Sequence, residues 1–227
     1  DAKAHMLDGY AREFLQPIWR TFEGEAERSF QSGGDVRRGQ TWTAVQRLLM
    51  AAVGGDLPMG IHIVVHGSGM PWFQAMVKRL VQKPDTQEST VPGLDTVELR
   101  RHIFRSVTLL APICTPESLR QLLDQLWGGW SLPPGTTTLP LAIYAQSARR
   151  DAEENLGGYQ GSFLELARRC FPLDGGLPTP TNPNLIAGHA EGLRTLNEQL
   201  AGRGLLETLL LTNSDPIGHA ELMDCHD

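Results

Sequence analysis

Three side chains in this 227-residue chain are of the kinds that divide acyl-transfer chemistry among themselves. Ser68 lies in Ile61-His62-Ile63-Val64-Val65-His66-Gly67-Ser68-Gly69-Met70-Pro71, an apolar run that ends in a glycine-rich turn with a helical pattern directly behind it. A strand-to-helix turn of this kind lifts one side chain above a parallel sheet, where a hydroxyl can attack a carbonyl carbon. Asp151 brings a carboxylate, which can orient an imidazole and stabilise its charged form. His219, behind an Asp215-Pro216-Ile217-Gly218 turn, brings an imidazole that titrates in the range of a general base. The chain order is nucleophile, acid, base. Each residue also has a plain structural reading. Ser68 can cap the helix that follows it. Asp151 can be a solvated charge at a helix start, beside Glu153 and Glu154, and His219 a surface histidine.

The elements that must position these residues are legible from periodicity. Four nearly continuous apolar runs, 61–65, 106–111, 139–145 and 207–212, read as strands buried on both faces. Between them lie patterns with apolar residues on one helical face, at 41–53, 71–82, 115–127, 160–171 and 189–203. Pro71 suits a first helical turn, and Thr115-Pro116 reads as a cap followed by a first turn. Strand and helix alternate, which predicts an α/β fold: a parallel sheet with helices on both faces. Residues 10–30 are predicted helical, with Phe14, Ile18 and Phe22 turned toward the sheet or an adjoining surface. No strand pattern precedes Ile61. In a parallel sheet, ligands bind beyond the carboxyl ends of the strands, and Ser68, Asp151 and His219 each follow such an end.

The chain resembles the C-terminal part of an α/β-hydrolase, specifically serine hydrolases with a strand–Gly-His-Ser-Ala-Gly elbow. The resemblance runs from about Pro17 to the C-terminus. It is carried by the elbow region, by Pro17-Ile18-Trp19, by Ser106-Val107-Thr108-Leu109-Leu110-Ala111-Pro112 and by Tyr159-Gln160-Gly161-Ser162-Phe163-Leu164. It implies an α/β-hydrolase-like single domain over 1–227 that lacks the N-terminal strands, with Asp151 as the acid and His219 as the base. The elbow itself departs from the pattern. Aligning His66 with the family's histidine puts Gly67 at the nucleophile, which leaves no side chain to react. Making Ser68 the apex instead places His66 and Met70 where glycines normally permit close approach of strand and helix. The resemblance therefore implies a degenerate elbow, with Ser68 turned into the helix start. His66, Gly67 and Gly69 are the expected binding residues, and Ser68, Asp151 and His219 the residues of a serine hydrolase if one operates. An oxyanion-hole amide from an earlier strand has no counterpart here. The chain is thus expected to belong to something longer, to have its sheet completed by a partner or upstream segment, or to bind a small ligand without catalysis.

Composition sets the remaining bounds. Hydrophobic content of 41% and charged content of 20% describe a globular protein, and a net charge of −6 with no long basic run argues against a nucleic-acid partner. No apolar run is long enough to span a membrane, and Asp1–Met6 has no apolar core of a signal peptide. Cys114, Cys170 and Cys225 are odd in number and widely spaced, which suits free thiols in a reducing cytoplasm; a small buried thiol is expected at Cys114. His219, Glu221, Asp224, Cys225 and His226 match no closed metal motif, so neither a metal nor a cofactor is expected.

Overall fold

A computed structural model describes residues 2–31, 39–54, 60–81, 104–127, 141–146, 151, 155–156, 159–173, 178, 183–200 and 209–212. Two helices, α1 (Ala2–Phe30) and α2 (Gln40–Gly54), precede strand β1 (Ile61–His66). A 3₁₀ turn at Gly67–Gly69 leads into α3 (Met70–Val81). Then follow β2 (Phe104–Leu110), α4 (Pro116–Trp127), β3 (Leu141–Tyr144), β4 (Asn155–Leu156), β5 (Tyr159–Gln160), α5 (Phe163–Cys170), α6 (Ala190–Leu200) and β6 (Leu209–Thr212). β1, β2, β3 and β6 form a parallel sheet in that order, and β4 and β5 form a separate antiparallel pair. The fold class is α/β. No strand precedes Ile61 among the described residues.

Register sets the main core. Val65 lies beside Leu109, and Leu109 beside Ile143, and all three are buried. Together with Val107 and Leu141 they pack on Phe73 and Val77 of α3, Leu119 and Leu123 of α4, and Leu193 and Leu196 of α6. Alternate residues point to the opposite face. There His62 is exposed and bonded through Nδ1 to the Ser106 hydroxyl at 2.8 Å, and Val64 is 51% exposed. Among the described residues, no helix covers His62 and Val64 on that face of β1. It is at the carboxyl end of the sheet that Tyr144 joins Ala111, Ile113 and residues of α1 and α5 in a second cluster.

Two local expectations also change. Residue 160, predicted to begin a helix, pairs in β5, because the helix cannot start before its cap at Ser162. In α1 the buried residues are Trp19, Ala26 and Phe30, with Leu15 and Phe22 partly buried. Phe14 and Ile18 are 56% and 62% exposed, so of the three predicted contacts only Phe22 packs inward. The helix is rotated from the predicted face because the aromatic contacts lie elsewhere. Trp19 stacks on Phe171 with centroids 4.5 Å apart, and Phe22 meets Trp72 edge-on at 4.2 Å. Buried Trp19 outweighs the Phe14–Ile18 stripe in area removed from water. Truncating Trp19→Ala is expected to cost about 3–5 kcal/mol in urea unfolding, and Ile18→Ala no more than about 0.5 kcal/mol.

Candidate functional site

The carboxyl end of the sheet is built by close backbone approach. At the β1 exit Gly67 has φ 42°, a left-handed conformation that favours glycine, and its carbonyl accepts from the Ile113 amide at 3.4 Å. At the β2 exit Ala111 also has positive φ, 44°, which is rare for a residue with a Cβ. Its amide donates to the Tyr144 carbonyl at 2.8 Å, joining the ends of β2 and β3. The Ile186–His189 segment lies across this junction. The Gly188 amide donates to the Pro112 carbonyl at 3.0 Å, and the Ala187 amide to the Cys114 carbonyl at 2.8 Å. A Cβ on Gly188 would stand 2.6 Å from the Ala111 carbonyl carbon, so only glycine allows this approach. Gln146, just past β3, pairs with the segment too: its amide donates to the Gly188 carbonyl at 2.7 Å, and its carbonyl accepts from the Ala190 amide at 3.2 Å.

These contacts hold His189 at the start of α6, where its carbonyl accepts from the Leu193 amide at 2.9 Å. Its imidazole is 5% exposed. His189 Nε2 donates to Asp151 Oδ2 at 2.8 Å. Asp151 is fully buried, which excludes its reading as a solvated charge. The Ser162 hydroxyl donates to the other carboxylate oxygen, Oδ1, in a short hydrogen bond. The Ser162 amide donates to the Asp151 carbonyl at 2.9 Å. Burying a carboxylate is unfavourable unless hydrogen bonds replace its water, and here both oxygens are satisfied.

Ser162 is also the N-cap of α5. Its hydroxyl oxygen accepts from the Leu164 and Glu165 amides at 2.9 and 3.3 Å. The hydroxyl proton and both lone pairs are therefore used, and the side chain is buried, so Ser162 is a cap and a carboxylate donor rather than a nucleophile. The sequence signal for it was the Ser162-Phe163-Leu164-Glu165 capping pattern. His189 carried a weaker signal, a histidine directly after Gly188. The helical pattern at 189–203 begins on this residue, so its spacing alone marks it as a helix start.

Asp151, Glu165 and His189 bring potential metal-ligand atoms within 4.8 Å of one another. The charges there are already balanced. Arg168 grips both oxygens of Glu165, Nε to Oε2 at 2.7 Å and Nη2 to Oε1 at 2.6 Å, and Arg169 lies 4.0 Å away. A divalent cation would have to displace Arg168 and break the Asp151–His189 hydrogen bond. The cluster is satisfied as a hydrogen-bonded network without one.

The expected site residues divide as follows. Ser68 lies in the 3₁₀ turn after β1, partly exposed, directly ahead of α3. Gly67 takes the left-handed position and Gly69 closes the turn, where a Cβ would touch Val65 at 3.4 Å. His66 ends β1 and is partly buried. Asp151 stands within the hydrogen-bonded network. His219 lies outside the described residues, so the histidine that meets Asp151 among them is His189. Cys114 and Cys170 are buried free thiols, as expected for Cys114. Among the described residues no helix is long and apolar enough to cross a membrane. Comparison with protein-family models, with curated proteins and with solved structures finds no match to this chain.

The network makes a stability prediction. Ser162→Ala removes a helix cap and strands one carboxylate oxygen, and is expected to cost about 2–3 kcal/mol in chemical denaturation. In a double-mutant cycle, Asp151→Asn and His189→Gln are expected to show a coupling of at least about 1 kcal/mol, as residues sharing a buried hydrogen bond do.

Proposed function

We propose that the chain is an α/β-hydrolase-like domain whose nucleophile elbow has lost its nucleophile, and that it serves in binding a partner or small ligand. The observation that carries this reading is Gly67. It occupies the left-handed position between β1 and α3, where an elbow would present its reactive side chain. The acid is present but enclosed: both oxygens of Asp151 are taken by Ser162 and His189. A group so occupied supports a structural role better than the steering of a mobile catalytic imidazole.

The second reading is a serine ester or amide hydrolase using Ser68, Asp151 and His219. It is favoured by the partial exposure of Ser68 at the carboxyl end of β1.

Labelling with a fluorophosphonate probe separates the two. The expected result is no signal that depends on Ser68, with wild type and Ser68→Ala alike. Labelling abolished by Ser68→Ala would establish the hydrolase and remove the binding-domain reading. Independently, Gly67→Ala is expected to destabilise the protein by about 1–2 kcal/mol, because a Cβ is unfavourable at that φ.

A further inference from the structure

A second feature lies at the junction of α1, α2 and α3. Arg79 stands in the last turn of α3, with its guanidinium carbon 5.5 Å from the centroid of the Trp42 ring. Trp42, in the first turn of α2, is buried in a cluster with Phe30 of α1 and Ala75 of α3. A cation over an aromatic face accounts for the packing of the guanidinium. It does not satisfy the N–H groups that lie in the guanidinium plane. Nε and Nη2 are both closed off from water, and neither has a hydrogen-bond partner.

These two atoms form the side-on edge of the guanidinium. Their N–H bonds run parallel, at the spacing of the two oxygens of a carboxylate or of two phosphate oxygens. Buried donors left without acceptors are unfavourable, and one oxyanion would satisfy both. The neighbouring helix end has the same electrostatic sense. α2 is preceded by Gly39, whose carbonyl accepts from the Thr43 amide at 2.8 Å. Glycine brings no side-chain oxygen to the first-turn amides, and that end of the helix dipole favours negative charge.

We propose that Arg79 anchors an oxyanion-binding site at this junction, taking a carboxylate or phosphate group across Nε and Nη2 with the Trp42 ring as its floor. Because the edge is closed to bulk water, uptake requires a local opening at this junction.

The test is thermal unfolding of the full chain at constant ionic strength in sodium chloride, sodium phosphate or sodium acetate. Wild type is compared with Arg79→Lys and Arg79→Met. Methionine keeps an unbranched stem over Trp42 and removes the unmet donors, so this variant is expected to fold; lysine keeps the charge and loses the paired edge. In wild type, phosphate or acetate is expected to raise the midpoint by several degrees over chloride. A rise with phosphate identifies a phosphate-type ligand, and a rise with acetate a carboxylate. The rise is expected to vanish in Arg79→Met and to fall by more than half in Arg79→Lys. Equal rises in all three proteins, or no anion-specific rise in wild type, would overturn the assignment.

Discussion

A carboxylate removed from water is the constraint on which the carboxyl end of this molecule depends. Asp151 is fully buried, and its burial is tolerable because two donors arrive from different elements. Ser162 comes from the start of α5 and His189 from the start of α6. Each donor is engaged elsewhere as well: Ser162 caps α5, and the His189 backbone opens α6. Displacing either element would leave a buried charge unpaired, so the network fixes the positions of two helices relative to the exit of β3. The Glu165–Arg168 pair beside it is partly exposed and contributes less.

That network requires a backbone approach closer than side chains allow. Gly188 lies against Ala111 and Pro112 where a Cβ would clash. A Cβ on Gly192 would stand 1.9 Å from the Ile186 carbonyl oxygen. Two glycines therefore carry the Ile186–Gly192 segment over the end of β2 and deliver His189 to Asp151. The β2 exit accommodates this with Ala111 in a left-handed conformation, a local strain held by the bond to Tyr144 and by complete burial. With Gly67 one strand away, two neighbouring strand exits carry positive φ.

The sheet is asymmetric in its cover. One face is sealed by α3, α4 and α6 through an apolar row that begins at Val65. On the other, Val64 meets solvent and the exposed His62 bonds across to Ser106. α1 and α5 meet Tyr144 at the carboxyl end, and the cluster they share with the β2 exit includes Trp19 stacked on Phe171. The carboxyl end is accordingly packed by α1 and α5, while among the described residues His62 and Val64 of β1 remain exposed.

What the sequence by itself determined is what depends on short-range pattern. Apolar runs and helical spacing located the four sheet strands, their parallel sense and the helices between them, to within a few residues. Thr115 was legible as a cap, and its hydroxyl does accept from the Ser118 amide at 3.1 Å. A tight glycine turn behind β1 was legible as well, and glycine is the residue that adopts the positive φ found at Gly67 at low cost. What only the tertiary structure decided depends on partners distant in the chain. Which face of α1 is buried was set by Phe171 and Trp72, so a stripe of Phe14 and Ile18 with good helical spacing was left in solvent. The partner of Asp151 was set in the same way. His189 lies 38 residues beyond it, and the two meet because glycines let one segment cross another. Periodicity reports that a residue lies on an apolar face or after a strand; it does not report which buried donor will meet a buried charge, because packing settles that pairing.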